Sequence, residues 1–250
     1  MKPTLASVLA ALTLASVATS SAIAEAPTGR AIPVAATYGS PQSGRVALFL
    51  SGDGGWNLGV VSMAKAVAQQ GYLVAGIDFP KYLKDRDGGS KACIAIADDL
   101  AATASSLAQG HNLKSSVPLL IGYSSGATAV YGALVQSHPG DFSGGLSLGF
   151  APDLKTQRPL CPGEGLHAKT DPKLGYIYEP VPAMQIPWKA LQGEIDQDVS
   201  ASATHDFVSR IGNAEIIMLP KVGHGFSVEK NWMPQFTTAL RSLEHSTPTH

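Results

Sequence analysis

Residues 117–136 read Val117-Pro118-Leu119-Leu120-Ile121-Gly122-Tyr123-Ser124-Ser125-Gly126-Ala127-Thr128-Ala129-Val130-Tyr131-Gly132-Ala133-Leu134-Val135-Gln136. The run Val117–Gly122 is short and continuously apolar, the pattern of a buried strand. From Ser125 to about Gln136 the small residues have helical spacing. Between them lies Gly122-Tyr123-Ser124-Ser125-Gly126, a G-x-S-x-G turn with a strand before it and a helix after it. That context is what a nucleophile elbow requires. Glycines on both sides keep Cβ atoms out of a crowded turn. The Ser124 hydroxyl is thereby lifted off the sheet at a helix N-terminus.

A serine hydroxyl needs a base to take its proton. His224, in Leu219-Pro220-Lys221-Val222-Gly223-His224-Gly225-Phe226, lies late in the chain between two glycines that suit an aiming loop. His111, His138 and His167 come too early, His205 falls inside an expected helix, and His245 and His250 are in the tail. The imidazole needs a carboxylate to fix its tautomer. Gly193-Glu194-Ile195-Asp196-Gln197-Asp198 supplies Asp196 as first choice and Asp198 as the alternative, with Glu194 as a pocket wall. The order Ser…Asp…His is that of an α/β-hydrolase fold.

A tetrahedral intermediate also needs donors for its oxyanion. The N–H of Ser125 is one. The loop Ser51-Gly52-Asp53-Gly54-Gly55-Trp56 offers the second, from Asp53 or, as the alternative, Gly54. The Asp53 carboxylate would oppose an oxyanion through like-charge repulsion. Either it turns back to bind loop N–H groups, the slightly favoured reading, or it binds a cationic part of a substrate. Trp56, Tyr82 and Tyr123 are candidate pocket aromatics, with core packing as the alternative. No Lys-Ser/Thr pair follows the glycine loop, as a phosphate-binding loop needs. No Cys/His cluster has metal-ligand spacing, so neither a metal nor another cofactor is expected.

The rest of the chain agrees with that frame. Of 250 residues, 44% are hydrophobic, 15% charged and only two are Cys. Disordered and disulfide-dense classes are thereby excluded. A net charge of −1 gives no basic field for nucleic acid. Residues 1–24 read as a secretory signal: Lys2, an apolar stretch from Leu5 to about Val17, then Ala22-Ile23-Ala24 before Glu25, with a transmembrane anchor as the weaker alternative because the stretch is short and broken by Thr and Ser. Export would place Cys93 and Cys161 where they can pair, with two lone thiols as the alternative. Residues 25–45 are a lead-in with a weak strand near Ile32–Tyr38, 46–245 form one domain, and 246–250 are a tail. Strands are expected at Val46–Leu50, Tyr72–Ile77, Gly145–Phe150, Trp188–Gln192 and Ala214–Leu219, besides the one before the elbow. Helices are expected at Val60–Gln70, Ala92–Gln109, Ala201–Ile211 and Met233–Leu243, with a polar loop at Lys81–Ser90. Alternating strands and helices imply a doubly wound, mostly parallel sheet. Residues 151–187, rich in Pro and Gly, read as a short irregular insertion after the strand that follows the nucleophile helix.

Ser51-Gly52-Asp53-Gly54-Gly55-Trp56, Gly122-Tyr123-Ser124-Ser125-Gly126-Ala127-Thr128 and Leu146-Ser147-Leu148-Gly149-Phe150-Ala151-Pro152-Asp153-Leu154 resemble the AcvB/VirJ family of exported bacterial virulence proteins, over roughly residues 45–245. Asp78-Phe79-Pro80-Lys81-Tyr82-Leu83 is similar too, although family members often carry an aromatic where Lys84 stands. The resemblance is to one domain of the two-domain members. It implies an α/β-hydrolase branch associated with hydrolysis of aminoacyl-phosphatidylglycerol, lysyl or alanyl, on the periplasmic side, with some members linked to type IV secretion. It maps the nucleophile onto Ser124, the base onto His224 and the acid onto Asp196, where the family varies.

The expected function is therefore a periplasmic serine ester hydrolase acting on an aminoacylated lipid. The ammonium group of that substrate would meet Asp53, Glu194 or Asp198. The alternatives are a broad carboxylesterase for soluble esters, and a non-enzymatic accessory protein of a secretion system. Transient contact with a membrane surface is expected for the first.

Overall fold

A computed structural model describes residues 29–113 and 117–244. The expected signal peptide, the start of the lead-in and the tail lie outside those residues. Seven strands form one sheet: β1 (Ala36–Tyr38), β2 (Val46–Leu50), β3 (Leu73–Ile77), β4 (Leu119–Tyr123), β5 (Gly144–Leu148), β9 (Trp188–Gly193) and β10 (Ala214–Leu219). Their order is β1-β3-β2-β4-β5-β9-β10. Edge strand β1 is antiparallel to β3, and every other neighbouring pair is parallel.

The interior strand β2 shows why the sheet is covered on both sides. All five residues of Val46-Ala47-Leu48-Phe49-Leu50 are buried. Side chains alternate across a strand, and these divide between two cores. Val46, Leu48 and Leu50 join one, and Ala47 and Phe49 join the other. The first core takes in α3 (Ile96–Gly110), α4 (Ser125–Gln136) and α5 (Ala201–Val208). The second takes in α1 (Leu58–Gln69) and α6 (Met233–Glu244). Tyr131, Phe150, Trp188 and Phe207 form a closed aromatic group in the first core. Each such side chain contributes about 1.5–3 kcal/mol on leaving water.

Two stretches differ from the sequence expectation. Lys81–Ser90, read as a polar loop, is mostly α2 (Phe79–Asp87). Its polar composition hid the start: Asp78 caps it by accepting the Lys81 N–H, and Pro80 stands in its first turn, where a missing N–H costs nothing. The insertion 151–187 is also more ordered than its Pro and Gly content implied. It holds an antiparallel sheet of β6 (Asp153–Leu154), β8 (Gly175–Tyr178) and β7 (Ala168–Asp171). Cys93 and Cys161 are disulfide-bonded and tie this insertion to the lead-in of α3. The neighbouring Ile94–Leu160 bridge continues that seam.

Successive strands run outward from β2 in opposite directions, to β3 on one side and β4 on the other. Open α/β sheets bind ligands at such a reversal, beyond the carboxyl ends of the strands. The loops after β2 and β4 meet there.

Candidate active site

Ser124 links β4 to α4 with φ 54° and ψ −124°, a conformation that favours glycine. The turn is packed tightly enough to hold it. A Cβ on Gly122 would collide with the Gly126 carbonyl, and one on Gly126 with the carbonyls of Leu50 and Ser51. A Cβ on Gly52 would stand 2.9 Å from the Ser124 Cβ, so the loop after β2 runs directly against the nucleophile position.

Ser124 stands at the N-cap of α4, yet its side chain makes no cap hydrogen bond. Its Oγ lies 3.0 Å from His224 Nε2 instead. Asn57, Asp78 and Ser200 all cap their helices in the usual way. A lost cap costs about 1 kcal/mol, so the helix start is left weaker by the orientation of this hydroxyl. The other ring nitrogen of His224, Nδ1, lies 2.9 Å from Asp196 Oδ2. Ser124, His224 and Asp196 therefore form one hydrogen-bonded series across three loops.

The Asp196 side chain is fully buried. Burial works against its charge. The N–H groups of Val199 and Asp198, both 2.9 Å from Oδ1, together with His224, outweigh that and hold its carboxyl below the ordinary value. Asp198, the alternative acid, is exposed and supplies one of those N–H groups rather than a carboxylate for the imidazole. Gln192, at the end of β9, was missed by sequence reasoning. It is fully buried, and its Nε2 donates to Asp196 Oδ2 at 3.0 Å and to the Gly193 carbonyl at 3.3 Å. Its place directly before the Gly193-Glu194-Ile195-Asp196 turn was the available signal. Tyr123 steadies the same unit, its hydroxyl donating to the His224 carbonyl at 3.1 Å.

A pocket of about 570 Å³ opens over Ser124. Asp53, Tyr123, Ser125 and Asp198 line it. Among the described residues, no hydrogen bond occupies the backbone N–H of Ser125 or Asp53. Val60 and Met63 of α1 give it an apolar wall that the sequence did not announce, and Asp153 and Lys155 come from the insertion. Burial, reinforced by Asp53 and Asp171, pushes the Asp153 carboxyl up.

Four expectations need correction. Trp56 does not reach the pocket. Its ring occupies the space that a Cβ on Gly76 of β3 would take, stacks on Tyr38 and meets Phe49 edge-on. Tyr82 is buried elsewhere, with its hydroxyl 2.9 Å from Asp99. Glu194 is exposed and outside the pocket wall. Finally, the Asp53 carboxylate does not fold back on its loop, since it accepts no hydrogen bond among the described residues. Asp78 does that work, accepting the Trp56 N–H.

Asp196, Asp198 and His224 each offer an atom within 4.8 Å of the others, a grouping that could hold a metal ion. Both Asp196 oxygens are already engaged by Gln192, His224, Asp198 and Val199, which fits a hydrogen-bonded unit better than a coordination site.

The parallel sheet, its covering helices and the serine turn at the switch point define an α/β-hydrolase fold. Within that class, residues 44–140 match the family described as bacterial virulence protein (VirJ). Solved structures share the fold. The esterase domain of a Rhodothermus marinus protein is 18% identical, with 84% of this chain and 91% of that one covered and a TM-score of 0.54. A dienelactone hydrolase from Anabaena variabilis is 18% identical over 86% and 88%, with a TM-score of 0.55. A cold-adapted esterase from an Arctic intertidal metagenomic library is 18% identical over 84% and 86%, with a TM-score of 0.52. No curated protein matches the chain significantly.

Proposed function

We propose that this protein is a periplasmic serine hydrolase that cleaves a carboxylic ester through an acyl-enzyme, and that the ester is the aminoacyl ester of lysyl- or alanyl-phosphatidylglycerol. The observation that carries the reading is the series Ser124–His224–Asp196, with a strained serine aimed at an imidazole instead of at its own helix.

Ser124 Oγ attacks the ester carbonyl as His224 Nε2 takes its proton. Asp196 holds the imidazole by Nδ1–H and stabilises the imidazolium. The N–H groups of Ser125 and Asp53 face the oxyanion. Collapse of the intermediate expels phosphatidylglycerol, whose alkoxide takes the proton back from His224. Water, deprotonated by His224, then frees the amino acid. Asp53, Asp153 and Asp198 on the pocket wall favour a cationic acyl group such as an aminoacyl ammonium. The signal-like N-terminus and the Cys93–Cys161 bond support an exported location.

The test compares the mature protein with Ser124→Ala on vesicles of lysyl- and alanyl-phosphatidylglycerol, following free amino acid. Release should fall by about 10⁴-fold or more in the variant. Release by neither, with a fluorophosphonate still labelling Ser124, leaves a serine esterase of another substrate. No release and no labelling would favour the accessory-protein reading.

A further inference from the structure

Among the described residues, four of the six exposed large apolar residues stand at the end of the sheet that carries Ser124. Leu58 is 87% exposed, Ile195 56%, Val228 48% and Leu174 44%. Leu58 opens α1 after β2, Ile195 follows β9, Val228 follows β10 on the loop that carries His224, and Leu174 tips the β7–β8 hairpin at the pocket edge. Val34 lies apart from that pocket, beside Thr103, Leu107 and Gly110 of α3. Val117 precedes β4, at the other end of the sheet. Singly exposed apolar residues need no explanation. Their collection around one pocket mouth does. The charge at that mouth is acidic, three aspartates (Asp53, Asp153 and Asp198) against Lys155.

From this placement we infer that the pocket end docks on a bilayer surface that displays cationic headgroups. The inference rests on the lipid-ester reading and goes beyond it, since it assigns the surface and the charge of membrane it takes. Leu58, Leu174, Ile195 and Val228 enter the headgroup region as apolar anchors, and the aspartates meet the ammonium groups. Among the described residues no helix is long and apolar enough to cross a membrane. A lysyl ester makes its lipid headgroup net cationic, and hydrolysis leaves phosphatidylglycerol, which is anionic. The surface that recruits the protein is thus converted by its product into one that repels it.

The experiment is flotation of the Ser124→Ala protein with three vesicles: phosphatidylcholine alone, phosphatidylcholine with stearylamine, and phosphatidylcholine with phosphatidylglycerol. Stearylamine carries an ammonium and no ester, so binding is read apart from turnover. Binding to the cationic vesicles should exceed that to either other set by about tenfold or more and fall with added salt. Leu58→Ser with Val228→Ser should abolish that binding, without introducing a charge, while the same pair in the otherwise wild-type chain hydrolyses a short soluble ester at the unaltered rate. Equal binding to all three vesicles, preference for the anionic set, or full binding by the double variant would overturn the inference. Soluble-ester hydrolysis with no vesicle binding removes the docking and leaves the hydrolase reading. Cationic-vesicle binding with no ester hydrolysis does the reverse.

Discussion

Ser124 trades stability for position. Its φ of 54° with ψ −124° belongs to glycine, and strain of this kind costs about 1–3 kcal/mol. Ser124→Gly should therefore raise the free energy of unfolding by about 1 kcal/mol in urea titrations, while esterase turnover disappears. A loss of stability would mean that the serine side chain supports the turn, against the geometry described here. A second residue acts at one remove. Gln192 donates to the same Asp196 oxygen that accepts from His224. Glutamate at this position would set a second carboxylate beside Asp196. The added negative charge favours the imidazolium over the neutral base, so the acid limb of the pH–kcat profile should move to higher pH. Gln192→Met, which removes the donor without adding charge, should lower kcat without that displacement. A purely structural role would leave both acid limbs where the wild type has them.

Secondary elements were legible where their residues repeat with one period. The serine turn lies between β4 and α4, and β10 keeps its expected bounds because Ala214–Leu219 ends at a proline turn. Elements stabilised by tertiary contact were not legible. Helix α2 is polar along most of its length and depends on its Asp78 cap and on the burial of Phe79 and Tyr82. The insertion has no periodic run because its strands are two to four residues long. Site residues sorted the same way. Ser124 and His224 sit in glycine-framed turns that the sequence displays. Gln192 and the correct place of Trp56 depend on neighbours that only folding brings together. The insertion should be correspondingly dependent on its covalent tie. The disulfide spans 68 residues, and closing a loop of that size restricts the unfolded chain by about 4 kcal/mol in the entropy account. Cys93→Ser with Cys161→Ser should lower unfolding free energy by about 2–4 kcal/mol. Amide exchange should rise first in β6, β7 and β8. Uniform loss of protection across the central sheet would show that the insertion is not a separable unit.

At the scale of the whole molecule, the acidic pocket end works against the fold that carries it. Asp153 is half-buried beside Asp53 and Asp171, and its carboxyl is held above the ordinary value first by burial and then by those two neighbours. The sign of the linkage follows from that direction. An unfolded aspartate titrates near ~3.9. A folded-state value above it means that the native protein binds the Asp153 proton more tightly than the unfolded chain does. Ionising Asp153 therefore destabilises the fold, fully so at neutral pH. The penalty is relieved as pH falls through the raised folded value. Asp153→Asn should accordingly raise Tm at pH 7, and the gain should vanish at about pH 3, below both values. The same variant removes a negative charge from the pocket wall, so KM for a cationic ester should rise while that for a neutral ester of equal size stays put. A higher Tm with no change in preference for cationic esters would separate the two effects and leave Asp153 as strain without a partner. Lower stability at neutral pH would reverse that sign. It would require that the carboxylate be held by a favourable contact stronger than the burial and repulsion that surround it.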